Sequence, residues 1–205
     1  MRMLIFLLGI VALTLSQEVG KVEKFSGKVD RLQKGQVRPQ PITAPNTGLT
    51  VGDVVRTKSD GNANVSFVDG SRAELGPLTR LDVLEYKEIK SVNVIRGRVL
   101  FEVTKLKPGE GFEVRTPTAI LGVKGTRFSV EVGPSYTLLR VLSGSVEVKP
   151  IGRQDLRFLA TEGTAYEVGT QQANRLDSQP DQQQNQRQTE YRTPPPSDIR
   201  QPCIR

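Results

Sequence analysis

The sequence predicts an all-β protein, with short strands stacked in a β-solenoid or roll-like or sandwich domain and a disordered C-terminal tail behind it. Three observations carry that prediction. Apolar and polar residues alternate at period two through much of the chain, the pattern of strands with one buried face. Glycines interrupt those runs where a strand must turn or bend. No stretch from Gln17 onward carries a capped apolar period of 3.6 residues.

The elements follow in order. Met1-Arg2 gives a positive start, residues 3–15 are an apolar run, and Thr14-Leu15-Ser16 supplies small residues for a peptidase, so residues 1–16 read as an export signal cleaved after Ser16. The thirteen-residue run is shorter than the roughly 20 residues a helix needs to cross a bilayer. No Cys follows it, so a lipid-modified N-terminal cysteine is not expected.

Residues 53–57, 62–68 and 71–75 are expected as strands, with Val65 and Phe67 alternating against Asn64 and Ser66. Asp60-Gly61 and Asp69-Gly70 stand between them as dipeptides that supply positive φ at tight turns. Val99, Phe101 and Val103 alternate with polar neighbours, as do Phe128, Val130 and Val132. In residues 137–142 Leu139 and Val141 occupy one face while Leu138 and Leu142 occupy the other, which predicts a strand covered on both sides. A pattern of apolar residue, x, Gly, x, Val recurs around Gly27, Gly97 and Gly144. Its spacings of 70 and 47 residues are no regular repeat, so each glycine is expected at a corner where a Cβ would clash.

Residues 170–205 differ in kind. They hold nine Gln and five Pro, with Gln182-Gln183-Gln184 and Pro194-Pro195-Pro196 as local signatures. Such a segment buries too little apolar area to offset the roughly 1 to 2 kcal/mol per residue of backbone ordering, and a disordered spacer is expected. The division is therefore an export signal at 1–16, an all-β domain at 17–169 and a tail at 170–205.

Composition excludes several chemistries. The 205 residues contain no His and one Cys, Cys203. That removes Ser-His and Cys-His nucleophile pairs, imidazole metal ligands and any disulfide within the chain. The net charge is +7, but from 17 to 169 the 23 basic and 18 acidic residues interleave, so a solvated surface is expected and nucleic acid is not a partner. Asp69-Gly70-Ser71 could hold a cation or a ligand hydroxyl, yet a hairpin turn needs the same residues. Gly122, Gly125 and Thr126 match no phosphate-loop spacing, and they read as a bend feeding the Phe128 strand. Gly125→Val is accordingly expected to destabilise the domain. The carboxylates Asp53, Asp60, Asp69, Glu74, Asp82 and Glu102 lie at turns or on polar strand faces, and no catalytic pair, cofactor or metal site is assigned to them.

Four segments in order carry a family resemblance: Leu49-Thr50-Val51-Gly52-Asp53-Val54-Val55-Arg56-Thr57, Phe67-Val68-Asp69-Gly70-Ser71, Ile95-Arg96-Gly97-Arg98-Val99-Leu100-Phe101-Glu102-Val103, and Val123-Lys124-Gly125-Thr126-Arg127-Phe128-Ser129-Val130. With Val141-Leu142-Ser143-Gly144-Ser145-Val146-Glu147-Val148 and Glu162-Gly163 they resemble the successive motifs of the FecR domain over about residues 18–169. The motif residues Gly52, Asp53, Asp69, Gly70, Ser71, Gly97, Gly125, Thr126, Phe128 and Gly144 are expected to be structural. The resemblance implies an exported sensory or protein-interaction domain, known best from periplasmic regulators that relay the occupancy of an iron-siderophore transporter to a sigma factor. Those relays carry a cytoplasmic helical segment before a full membrane span, whereas here only Met1 and Arg2 precede the apolar run. A stand-alone exported copy in the periplasm or outside the cell is therefore expected. Two readings stay open for its partner: an envelope or membrane protein docked on the β-surface or a strand edge, or an anionic cell-wall polymer held by dispersed positive charge.

Overall fold

The computed structural model describes residues 17–153, 155–169 and 172–176. The strands in chain order are β1 (Glu18–Ser26), β2 (Val29–Leu32), β3 (Gln40–Pro41), β4 (Thr47–Thr50), β5 (Val54–Thr57), β6 (Asn62–Phe67), β7 (Arg72–Leu75), β8 (Arg80–Tyr86) and β9 (Ile89–Glu102). They continue with β10 (Gly111–Arg115), β11 (Ala119–Val123), β12 (Arg127–Val132), β13 (Tyr136–Ser143), β14 (Ser145–Pro150), β15 (Phe158–Thr161), β16 (Ala165–Gly169) and β17 (Ala173–Leu176). Among the described residues there is no helix, and hence none long and apolar enough to cross a membrane. The predicted export signal, Cys203 and the Gln/Pro-rich stretch beyond 176 lie outside the described residues.

The chain is all-β, and the strands form two layers. One runs β4-β1-β6-β7-β9-β12-β13-β16-β17, antiparallel throughout. The other runs β3-β2-β5-β8-β9-β10-β11-β14-β15, antiparallel except for the parallel pair β9 and β10. Strand β9 belongs to both. Ile89 to Arg96 pairs in the second layer and Gly97 to Glu102 in the first, so the 17 strands are continuous but not closed.

The period-two pattern decides which side faces inward. Val65, Phe67, Val99, Phe101, Phe128 and Val130 are all buried in one core that draws on both layers. The phenylalanines form a file through it: Phe128 stacks on Phe101 at 5.3 Å, Phe101 meets Phe112 edge-on at 6.3 Å, and Phe112 meets Phe67 at 6.1 Å. Aromatic contacts of this kind add about 0.5 to 1.5 kcal/mol each beyond the area they bury.

The predicted corner glycines take the left-handed backbone, with φ of 63° at Gly27, 90° at Gly97 and 86° at Gly144. At Gly97 a Cβ would collide with the backbone and hydroxyl of Thr79. There the chain passes from one layer to the other while Thr79 Oγ1 accepts from Arg98 N at 3.1 Å.

Three expectations need correction. Asp60-Gly61 is not a hairpin turn: β5 and β6 lie in different layers, and Gly61 is absent from the left-handed positions. A Cβ at Gly61 would instead strike the Lys28 carbonyl oxygen, so glycine is required there by close backbone approach. Strand β13 is covered on one face only. Thr137, Leu139 and Val141 are buried while Leu142 is 48% exposed, because among the described residues no third layer packs outside the first. Finally, β17 pairs with β16 inside the stretch assigned to the tail. Only Ala173 of that strand is half-buried, so its composition carries no burial signal.

Candidate functional site

At one end of the roll three elements converge on a recess of about 380 Å³. The β6–β7 hairpin brings Asp69, β8 and β9 bring Tyr86 and Lys90, and the connection 103–110 between β9 and β10 brings Leu106, Lys107 and Glu110. The hairpin is set by its own sequence. Gly70 has φ of 85°, Asp69 Oδ1 accepts from Ser71 N at 3.0 Å, and Gly70 N donates to Phe67 O at 3.0 Å. Thr104 ties the connection to the hairpin, with Oγ1 donating to Asp69 O at 3.0 Å and its amide donating to Ser71 Oγ at 3.2 Å.

The polar groups interlock. Tyr86 Oη donates to Asp69 Oδ1 at 2.8 Å, and the Tyr86 ring stacks on Phe67 at 5.5 Å, which joins the recess to the aromatic file. Lys90 Nζ donates to Glu110 Oε2 at 3.0 Å and lies 3.9 Å from Asp69 Oδ2, an oxygen that is buried and accepts no hydrogen bond. Nζ also stands 6.0 Å from the centre of the Tyr86 ring. The Lys90 side chain is only 8% exposed.

Burial, reinforced by the hydrogen bond to Asp69, pushes the Tyr86 phenol far above its ordinary value. The Lys90 ammonium, through its hydrogen bond, holds the Glu110 carboxyl below the usual carboxylate range. Around the mouth, Lys87, Lys105 and Lys107 are exposed. Four lysines thus face two carboxylates, which makes the recess an electropositive pocket with part-apolar walls.

Of the predicted residues the structure brings Asp69 into the lining of this recess, with Gly70 and Ser71 next to it in the same hairpin, and places the others elsewhere. Gly52, at φ 96°, leads into Asp53, which is 1% exposed and tied to Arg31. Gly97 and Gly144 sit at corners, and Phe128 is in the core. Gly125, at φ 62°, and Thr126 form the bend before β12, where Thr126 Oγ1 donates to Ser145 O at 2.8 Å. Among the remaining carboxylates, Asp82 is paired with Arg80 at 2.8 Å and Asp60 Oδ1 accepts from Lys28 N at 3.4 Å. Among the described residues no group of three His, Cys, Asp or Glu side chains could hold a metal ion.

Sequence reasoning missed Tyr86, Lys90 and Glu110. A signal for Lys90 exists: it shares the parity of the buried Val92 and Val94 along β9, so it must point inward.

By fold and site this is a two-layered all-β domain with an electropositive recess at one end. Residues 53–147 match the family model described as FecR protein. Two crystal structures of a candidate anti-sigma factor from Parabacteroides distasonis ATCC 8503 share the fold. One is 22% identical with a TM-score of 0.53, the match covering 60% of this chain and 57% of that one. The other is 21% identical with a TM-score of 0.53, covering 66% and 64%. The chain therefore spans less than two thirds of the length of either. None of the curated proteins matches it.

Proposed function

We propose that this chain is an exported, non-enzymatic sensory or regulatory module that works by docking a protein of the cell envelope. The observation that supports this reading is the FecR match over residues 53–147, a span that includes Asp69, Tyr86, Lys90 and Glu110. The sheet edges favour the same reading. Strand β15 has no further strand beside it among the described residues, it is uncharged (Phe-Leu-Ala-Thr), and Leu159 on it is 59% exposed. An uncharged edge of this kind accepts an added strand from another chain. Export is proposed from the pattern of residues 1–16.

Affinity capture of the tagged chain from cross-linked envelopes, washed at low and high salt, tests the reading. One stoichiometric protein that survives high salt is expected, since a packed interface is screened little. Retention of cell-wall polymer alone, lost at high salt, would overturn it in favour of a structural role carried by dispersed charge.

A further inference from the structure

We infer that the recess at the end of the roll is the docking point for an acidic, part-apolar peptide segment of the partner; this rests on the reading of the chain as a protein-docking module. Charge gives the first reason. Lys87, Lys105 and Lys107 rim the recess, all exposed, and among the described residues no carboxylate lies within salt-bridge distance of any of them. Three exposed ammonium groups around one concavity attract a segment with several carboxylates and speed its approach.

Shape and polarity give the second reason. Val68, at the hairpin, is 68% exposed, and Leu106 is half-buried on the facing connection. An anion without apolar groups leaves both in water, whereas a peptide that alternates acidic and apolar side chains covers them while its carboxylates meet the lysines. A recess of about 380 Å³ accommodates a few side chains rather than a folded surface. Nucleic acid fits poorly, because Tyr86, the one ring in the recess, is stacked by Phe67 and approached by Lys90, leaving no free face for a base.

The floor adds selectivity. Lys90 Nζ carries three protons, and Glu110 takes one of them at 3.0 Å. A partner carboxylate that enters the recess therefore meets a buried ammonium with donors to spare, and it competes with Glu110 for them. Because Glu110 ends the connection 103–110, the docked segment loosens the tie between that connection and β9.

The test uses the full mature chain and a fluorescent peptide of alternating Glu and Leu, with its Gln-Leu counterpart and polyphosphate as controls. The Glu-Leu peptide is expected to bind, the Gln-Leu peptide to bind at least about tenfold more weakly, and the triple variant Lys87→Glu, Lys105→Glu, Lys107→Glu to lose at least about tenfold in affinity. The three side chains are exposed, so the variant's melting temperature is expected to stay that of the parent. Unchanged binding by the triple variant overturns the inference. So does polyphosphate displacing the peptide as effectively as unlabelled peptide, which marks a plain anion sink. In the envelope capture, a partner retained equally by parent and triple variant overturns this site while the docking reading stands; no protein partner for either overturns the docking reading itself.

Discussion

The Arg31 guanidinium reaches from β2 to the carboxylate of Asp53 and donates from Nη2 to Oδ2 at 2.6 Å and from Nε at 3.0 Å. Asp53 is 1% exposed and also accepts from Lys34 N at 3.1 Å and Thr50 N at 2.8 Å. Removing one partner of such a pair strands a buried charge, so Asp53→Ala is expected to cost about 3 to 5 kcal/mol. Replacing the pair together, Arg31→Leu with Asp53→Leu, should recover little, since two backbone amides still lose their acceptor. Urea unfolding measures both. A loss below about 1 kcal/mol for Asp53→Ala would show that this turn does not depend on the carboxylate.

Two glycines with opposite demands make a paired prediction. Gly97 has φ of 90° and sits against Thr79, so Gly97→Ala should cost at least about 2 kcal/mol from strain and collision together. Gly122 is not among the left-handed positions, and the nearest atom to a Cβ there is 3.5 Å away. Gly122→Ala is expected to stay within about 0.5 kcal/mol of the parent. Thermal melts of both variants decide it, and equal losses would refute the corner assignment.

Tyr86 is expected to give the fold a dependence on alkaline pH. Folding raises its phenol above the unfolded value of about 10. That contribution is whole below pH of about 10 and is lost as pH climbs toward the folded value, so stability should fall with rising pH there. Tyr86→Phe leaves Asp69 Oδ1 one donor short, at a neutral-pH cost of about 1 to 3 kcal/mol, and it removes this part of the slope. Urea midpoints measured from about pH 9 to 11 should therefore converge for parent and variant. Parallel curves would show that Tyr86 does not carry the effect.

Much of the fold is legible along the chain because burial here follows parity. Val65, Phe67, Val99, Phe101 and Phe128 alternate with polar neighbours and are all buried, and the corners at Gly27, Gly97 and Gly144 carry a local glycine mark. Asp60-Gly61 misleads because the same dipeptide serves a hairpin and a corner between layers, and only the pairing of β5 and β6 with other strands tells them apart. The recess is legible only in part. Asp69-Gly70-Ser71 announces its hairpin, but the partners Tyr86 and Lys90 arrive from 17 and 21 residues further on by way of the other layer. Glu110 comes in on a connection with no period at all. Parity places Lys90 inside; nothing local says what it meets there.

The last prediction concerns the opposite end of the roll, where three buried threonines join the layers. The hydroxyls of Thr116, Thr137 and Thr118 follow one another at 2.8 and 2.7 Å, and Thr118 Oγ1 donates to Val168 O at 2.8 Å. Thr116 and Thr118 belong to the β10–β11 turn of the second layer, while Thr137 and Val168 lie on β13 and β16 of the first. All three threonines are at most 3% exposed, so water is poorly placed to replace a lost partner. Thr137→Val keeps the shape and the β-branching but breaks the chain in its middle. It should leave the hydroxyls on either side short of a partner, at about 1 to 3 kcal/mol. Thr118→Val removes the link to Val168 O and should cost a similar amount. Because the two act in one network, the double variant is expected to lose less than the sum of the singles. Strict additivity in a double-mutant cycle by urea unfolding would mean that the hydroxyls act as separate local caps and that apolar packing alone joins the layers at this end.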